Sequence, residues 1–225
     1  MKRVEIRELL DSDEGTAREV AASLRDLRWF NRWFGGIATT AEMLEGIAAR
    51  TGRSSLSMLE VAAGSGETAE AVRGRLGERG VELRVTLLDR ARTHLNGTRL
   101  PAVVGDATAL PFQDGSFDVV SSGLFVHHLG PQAARHFLRE GLRVCRVAVV
   151  VNDLIRDPLH LAVAYAGVPL YRSRITRHDA PASVRQAYTI DEMTGFMRDA
   201  GTASVDERRE WFYRMGVIGW KDSSW

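Results

Sequence analysis

Residues 55–66 read SLSMLEVAAGSG, a short apolar run that ends in small residues and glycines. Residues 67–76, ETAEAVRGRL, have the periodicity of a helix. Small residues let the backbone approach a ligand closely, and the N–H groups at the start of the helix point toward the same place. The stretch therefore predicts a strand, a ligand-binding turn and a helix, which is the repeating unit of an α/β fold.

Short apolar runs and helices alternate along the rest of the chain. Further strands are expected in VELRVTLLD at 81–89, PAVVGD at 101–106, FDVVSSG at 117–123 and VCRVAVVVND at 144–153. This alternation is typical of a parallel sheet with helices on both faces. The strand-like segments 202–210 and 211–220 leave no room for a crossover helix, so they are predicted to be antiparallel. The prediction is a seven-stranded, mostly parallel α/β sheet that ends in a C-terminal antiparallel β-hairpin.

Composition narrows the class of protein. The 225 residues, 44% hydrophobic and 26% charged, fit one domain over residues 1–225. The net charge is +1 and the basic residues are scattered, so a nucleic-acid partner is not expected. The lone Cys145 cannot form an intrachain disulfide, and the charged N-terminus does not resemble a signal peptide. The longest apolar run, 162–171, is too short to span a bilayer. We therefore expect a cytoplasmic protein without stable membrane insertion.

Acidic residues stand at the ends of three successive predicted strands. They are Glu60, Asp89 and Asp106. Any one of them fits a turn residue or a helix cap equally well. As ligand contacts, Asp89 would accept hydrogen bonds from ribose hydroxyls, and Asp106 from the exocyclic amine of an adenine. Gly64 and Gly66 also fit a dinucleotide-binding pattern, which keeps an NAD(P)-dependent oxidoreductase open as an alternative. That alternative does not explain residues 105–107 or the terminal hairpin.

The segments LEVAAGSG, LLD and GDATALPFQDGSFDVVSSGLFVHHL, followed by the closing hairpin, resemble class I S-adenosylmethionine-dependent methyltransferases. The resemblance is to the small-molecule, ubiquinone/menaquinone-biosynthesis type. It implies a Rossmann-like fold, an N-terminal helical lid and S-adenosylmethionine as the cofactor.

The resemblance also implies cofactor contacts in the turns that follow the first four strands. The turn after the first strand would hold the methionine end of the cofactor, Asp89 the ribose and Asp106 the adenine edge. Ala62 stands where the family usually has glycine, so its methyl group would crowd the cofactor slightly. The full set is Glu60, Ala62, Gly64, Ser65, Gly66, Asp89, Arg90, Asp106, Ala107, Ser122 and Gly123.

Four regions follow from this assignment. They are the lid at 1–52, the cofactor-binding core at 53–155, an acceptor-pocket insertion at 156–188, and a final helix and hairpin at 189–225. Apolar residues recur at helical spacing over 16–34, and a second helix is expected from Thr39 or Thr40 to about Arg50. Trp29 and Trp33 on the first helix are predicted to roof the acceptor pocket.

Other acceptor contacts are predicted after the fifth strand. The candidates are Asn152, Asp153 and Arg156, followed by a loop at 172–181 that carries arginines and His178. His178 is one of two candidate catalytic residues. The same arginines fit a solvated basic loop equally well.

Residues 121–129, SSGLFVHHL, place two adjacent histidines after the fourth strand. Side chains of adjacent residues are about 100° apart on a helix and on opposite faces of a strand, so their imidazoles are not expected to converge on one ion. No metal site is predicted. In the family, this segment borders the reactive methyl group, so His127 is the predicted acceptor contact and candidate base. His128 is expected to pack or hydrogen-bond behind it.

The predicted activity is methyl transfer to a small, hydrophobic and hydroxylated aromatic or quinone/polyketide-like acceptor, on oxygen or carbon. A small-molecule acceptor is the expected partner, and the chain is expected to be a monomer or homodimer. A second alternative is a non-catalytic protein that binds the cofactor without turnover. Single substitutions and ligand titrations distinguish these classes.

Overall fold

The computed structural model of the chain describes residues 1–10, 15–210 and 212–222. Seven strands form one sheet in the order β3-β2-β1-β4-β5-β7-β6. The strands are β1 Ser55–Val61, β2 Glu82–Asp89, β3 Ala102–Val104, β4 Phe117–Gly123, β5 Cys145–Leu154, β6 Ser204–Glu210 and β7 Arg214–Trp220. Strands β1 to β5 pair in parallel, whereas β7 is antiparallel to both β5 and β6. The predicted fold class is confirmed.

Within the described ranges, seven α-helices connect and cover these strands. They are α1 Ala17–Trp33, α2 Gly36–Thr51, α3 Glu67–Glu78, α4 Pro131–Val144, α5 Pro158–Ala166, α6 Arg174–Gln186 and α7 Ile190–Ala200. A short 3-10 turn, Val126–His128, follows β4. Among the described residues, no helix is both long and apolar enough to cross a membrane.

Two apolar clusters fill the two faces of the sheet. Residues of β4 and β5 alternate between them: Val120 and Val151 pack with α4 and α7, whereas Val119 and Val150 pack with α2 and α3. Strand side chains point to opposite faces in turn, so a strand buried on both sides is apolar throughout. The continuous apolar runs in the sequence reflect burial of the strands on both faces. The buried strands hold their carboxyl ends side by side at the edge of the sheet where ligands bind in this type of fold.

Two predicted boundaries are wrong. Helix α2 begins at Gly36 rather than at Thr39, because Gly35 takes a left-handed conformation (φ 86°) that turns the chain directly from α1 into α2. The segment expected as a loop at 172–181 lies mostly in α6, which Ser173 caps by accepting a hydrogen bond from the Ile175 N–H at 3.2 Å. The many arginines of this segment lie on the exposed side of a helix that also has a buried side.

Residues 3–10, called the strap below, run along the buried side of α6. Asp179 Oδ1 accepts from Leu9 N–H at 2.9 Å, and Asp179 Oδ2 accepts from Leu10 N–H at 3.0 Å. Near the other end of α6, Arg185 O accepts from Val4 N–H at 3.1 Å. Residues 1–8 have no regular secondary structure, so this part of the predicted helical lid is not helical.

Candidate active site

The structure brings the predicted cofactor residues to the carboxyl edge of the sheet. Glu60 lies near the end of β1, Asp89 ends β2, and Ser122 and Gly123 end β4. Asp89 pairs in register with Val104, so residues 105–107 begin beside it. Adjacent parallel strands end at the same edge, which explains why residues far apart in sequence meet here. Their binding roles stay predictions.

Glu60 is a buried carboxylate with an unsatisfied oxygen. Its Oε2 and the Ser122 hydroxyl are the two buried side-chain polar atoms of the described residues that lack a hydrogen-bond partner. Burial raises the pKa of Glu60 to about 7, and hydrogen bonds from Ser121 and Gly123 offset only part of that effect. A buried polar atom without a partner is costly, so two of them at one edge indicate a site for a polar ligand.

Asp89 is held by several donors. Its Oδ2 accepts from Gly64 N–H at 2.9 Å, and its Oδ1 accepts from Ala91 N–H at 2.9 Å and lies 3.2 Å from His94 Nδ1. Burial raises the pKa of Asp89, but these hydrogen bonds outweigh it, so the net pKa is lowered. The carboxylate therefore stays ionised, as acceptance of two hydroxyl hydrogen bonds requires.

The turn between β1 and α3 is built on left-handed residues. Gly64 has φ 55° and Gly66, the N-cap of α3, has φ 76°. Ala62 also has a positive φ, 56°, which costs a residue with a Cβ atom about 1 kcal/mol. The departure at Ala62 therefore strains the backbone, which the sequence did not indicate.

Helix α1 lies against the start of α3, beside this turn. Asn31 Nδ2 donates to Thr68 Oγ1 at 3.4 Å, and Arg28 Nη1 lies 3.4 Å from Glu67 Oε1. Both contacts are long, so they hold α1 weakly over the turn. This position suits the predicted lid.

A buried His–Asp pair lies where the 3-10 turn meets β5. His127 Nδ1 is 2.6 Å from Asp153 Oδ1, and the His127 backbone N–H donates to Asp153 Oδ2 at 3.1 Å. Burial raises the pKa of Asp153, but electrostatic interaction with His127 and hydrogen bonds from His127 and the Leu154 N–H outweigh it and lower the net pKa. An ionised carboxylate only accepts, so Nδ1 carries hydrogen and, in the neutral ring, Nε2 carries the lone pair.

The strap brings a second carboxylate to this imidazole. Glu8 Oε1 lies 3.7 Å from His127 Nε2 and 3.9 Å from His128 Nδ1. The same oxygen accepts from Ser183 Oγ at 2.6 Å and from Gln186 Nε2 at 2.5 Å. Glu8 therefore closes the space in front of His127.

The expected divergence of the two imidazoles is wrong. The rings of His127 and His128 lie with centroids 4.1 Å apart and planes tilted by 34°. Both histidines belong to the short 3-10 turn Val126–His128. Exposure is also the reverse of the expectation: the side chain of His127 is 3% exposed and that of His128 is 22% exposed. His128 lines a cavity of about 260 Å³ together with residues 5–8 and Gln186.

Two predicted acceptor contacts are occupied by protein partners. Asn152 Nδ2 donates to Gly36 O at 2.9 Å and to Thr40 Oγ1 at 3.0 Å, and its Oδ1 accepts from Arg214 Nη1 at 3.2 Å. These bonds fix the start of α2 to β5, so an acceptor could reach Asn152 only by breaking them.

Arg156 is similarly engaged. It donates to the backbone oxygens of Met1 and Ala187 at 3.0 Å and 2.9 Å, and to Glu192 Oε1 at 2.8 Å. Its side chain is 7% exposed. It ties the start of the chain to the segment between α6 and α7.

The remaining predicted residues, on α6 and α1, have exposed side chains. His178 is exposed on α6, with Nδ1 2.8 Å from Asp179 Oδ1, and the structure does not bring it to the buried His–Asp pair. Trp29 and Trp33 are 46% and 62% exposed. Trp29 contacts Phe34 edge to face, with ring centroids 5.0 Å apart, so it flanks an apolar ring cluster.

Sequence reasoning named Asp153 with Asn152 and Arg156 after the fifth strand but did not pair it with His127, and it gave no role to Glu8. Asp153 stands near the end of β5, as Asp89 ends β2, so its place at this sheet edge follows from the strand positions. Glu8 has no such signal, because only a contact with residues more than 170 positions away brings it into the site.

The comparisons with known proteins agree with this geometry. Residues 59–150 match the family model described as "Methyltransferase domain". The chain is 32% identical over 142 residues to a demethylmenaquinone methyltransferase from Roseiflexus castenholzii, which covers 57% of this chain and 59% of that protein. It is 27% identical over 173 residues to a ubiquinone/menaquinone biosynthesis C-methyltransferase from Laribacter hongkongensis, which covers 68% of this chain and 70% of that protein.

A solved structure shares the fold. The plantazolicin methyltransferase BpumL in complex with SAH has a TM-score of 0.68 at 14% identity, over 89% of this chain and 77% of that one. At this identity the solved structure shows a shared fold, and the matched segment shows that residues 59–150 are similar to a methyltransferase domain.

Proposed function

We propose that the protein transfers the methyl group of S-adenosylmethionine to a small hydroxylated aromatic acceptor of the hydroquinone type. The observation that carries the proposal is the buried Glu60 carboxylate, whose Oε2 lacks a partner among the described residues. It lies at the same sheet edge as Asp89 and beside the glycine-rich turn.

The described residues fit this cofactor. Glu60 Oε2 suits the ammonium of the methionine end, and the Ser122 hydroxyl suits a polar group next to it. Asp89 would accept from the ribose hydroxyls, while residues 64–66 keep the backbone close. When bound, the cofactor supplies a methyl group activated by its sulfonium.

The same carboxylate disfavours a dinucleotide. A dinucleotide site places its pyrophosphate at the start of the helix after β1. Here Glu60 comes from β1 just before that turn, so its ionised form would repel phosphate and attract an ammonium group. The carboxylate therefore favours S-adenosylmethionine, which carries an ammonium group, over a dinucleotide, which carries a negatively charged pyrophosphate.

The His127–Asp153 pair suits activation of a hydroxyl group. Asp153 holds Nδ1, so Nε2 of the neutral ring can accept the acceptor's O–H proton. The resulting phenolate is nucleophilic at oxygen and at the ortho ring carbon. The relatives' names support quinone-type acceptors, and one of them supports carbon methylation. The acceptor must displace Glu8 from in front of the imidazole, since Glu8 Oε1 lies 3.7 Å from Nε2.

Apolar surroundings support an acceptor with a hydrocarbon tail. Phe30 on α1 contacts Tyr171, the last residue of the uncharged segment 158–171, edge to face with ring centroids 5.7 Å apart. Cys145 plays no nucleophilic part, because burial raises the pKa of its thiol to about 12. A base and positioned reactants suffice for an in-line methyl transfer.

Calorimetric titration tests the cofactor assignment. We expect S-adenosylmethionine to bind the protein, NADH not to bind, and Asp89→Ala to weaken binding at least tenfold, since two charge-assisted hydrogen bonds are lost. The matched control is Glu82→Ala, an exposed acid at the opposite end of the same strand. Binding of NADH in place of S-adenosylmethionine, or full affinity in the Asp89 variant, would refute the proposal.

A further inference from the structure

Three possible metal ligands from distant parts of the chain converge in front of the 3-10 turn. One ligand atom each from Glu8, His127 and His128 lies within 4.8 Å of the others. The carboxylate belongs to the strap, and the two imidazoles belong to the turn after β4. Two of the three residues are buried and the third is half-buried.

The separations suit an ion better than direct hydrogen bonds. Glu8 Oε1 lies 3.7 Å from His127 Nε2 and 3.9 Å from His128 Nδ1, beyond hydrogen-bond length. Zinc–ligand bonds of about 2.1 Å place neighbouring ligand atoms roughly 3 to 3.5 Å apart. The two separations that involve Glu8 Oε1 therefore exceed this spacing by only a few tenths of an ångström.

Second groups already orient two of the ligands. Asp153 Oδ1 holds His127 Nδ1 at 2.6 Å, which aims the Nε2 lone pair at the cluster. Carboxylate–histidine–metal arrangements of this kind fix the tautomer of a ligating histidine. Ser183 and Gln186 hold Glu8 Oε1 by short hydrogen bonds.

We propose that Glu8, His127 and His128 form a binding site for a divalent transition metal, with Zn²⁺ as the test ion. Two imidazoles and one carboxylate suit metals of this class, and three protein ligands leave a position for water or another ligand. The cavity of about 260 Å³ beside His128 and residues 5–8 provides room for that additional ligand.

Occupation of the site would have two consequences. The ion would join the strap to the turn after β4 and so hold the strap in place. It would also engage His127 Nε2, which could then no longer accept a proton. This inhibitory effect rests on the proposed function, whereas the binding itself does not.

The experiment is a calorimetric titration of the untagged 225-residue protein with Zn²⁺, without cofactor or acceptor. Co²⁺ is used in parallel because its visible spectrum reports the ligand set. We expect one equivalent to bind, and Glu8→Gln and His128→Ala each to weaken binding at least tenfold. The matched control is His136→Ala, an exposed histidine on α4, which should bind like the wild type.

Each outcome decides the proposal. Unchanged Zn²⁺ affinity in Glu8→Gln and His128→Ala would overturn it and leave the cluster as an ion pair. An equal loss in His136→Ala would also overturn it, since binding would then be scattered over surface histidines. S-adenosylmethionine titration of the same variants verifies their folding. Because no methyl transfer is measured, failure of the site is distinguishable from failure of the proposed function.

Discussion

The buried Glu60 carboxyl group lowers the stability of the folded protein at neutral and alkaline pH, at a position proposed to bind the cofactor. Its folded-state pKa, about 7, lies above the ordinary value of 4.5, so the folded protein keeps a proton that the unfolded chain loses. Stability therefore falls as pH rises from about 4.5 to 7 and stays low above that range. Glu60→Gln removes the ionisable group and should stabilise the cofactor-free protein by roughly 2–3 kcal/mol at pH 8.

Urea unfolding at pH 4.5 and pH 8 measures this effect. The advantage of Glu60→Gln should be small at the lower pH and large at the higher one, while its affinity for S-adenosylmethionine falls. Glu82→Gln, on the exposed side of β2, should show neither change. A pH-independent advantage would show that burial of the charge is not the cause.

Ala62 is a second residue whose local backbone geometry affects both the stability of the protein and its affinity for the cofactor. Because its φ of 56° suits glycine, Ala62→Gly relieves strain that offsets the added freedom of the unfolded chain. The free energy of unfolding should change by less than about 0.5 kcal/mol, and the cofactor should bind more tightly once the methyl group is gone. Ala71→Gly, exposed within α3, should instead destabilise the protein by about 1 kcal/mol. Thermal unfolding and calorimetry compare the two variants, and equal losses of stability would argue against strain at Ala62.

At the scale of elements, the orientation of the candidate base His127 depends on the contact between the 3-10 turn and β5, which brings its imidazole to Asp153. His127→Gln should lower kcat with a hydroquinone acceptor about 100- to 10,000-fold, as loss of a general base does. Asp153→Asn should also lower kcat, because the Asn amide no longer fixes the tautomer by accepting from Nδ1. S-adenosylmethionine affinity should be unchanged in both variants.

Product analysis by mass spectrometry identifies the methylated atom. Full turnover in His127→Gln, with His136→Gln as the control, would remove the base from the mechanism.

The strands and α1 could be predicted from sequence, whereas the strap could not. Periodicity reports which local residues face the core, so the apolar runs and the helix over residues 16–34 are legible. The contact of Leu9 with Asp179 joins residues 170 positions apart and leaves no local pattern. Helix α6 was missed because five of its thirteen residues are charged or histidine, and those residues obscure the apolar spacing.

At the scale of the molecule, the topology predicted from sequence determines which edge of the sheet holds the candidate site. Polar contacts between distant residues form the rest of the site. Strand order places Glu60, Asp89 and Ser122 together, which the positions of the strand ends in the sequence anticipate. The pairing of His127 with Asp153 depends on the shape of a three-residue turn. Turn shape and long-range polar pairing are set by the assembled structure, so the acceptor side was the less predictable half.

The strap and α6 also have an evolutionary consequence. The candidate cofactor residues all lie between positions 60 and 123, whereas the strap and α6 lie outside that interval and bind each other through Asp179, Ser183 and Gln186. Substitutions in that outer pair can drift without disturbing the cofactor turn. A lineage could therefore acquire new acceptors by exchanging strap and helix together, and a laboratory library confined to those two segments would explore the same freedom.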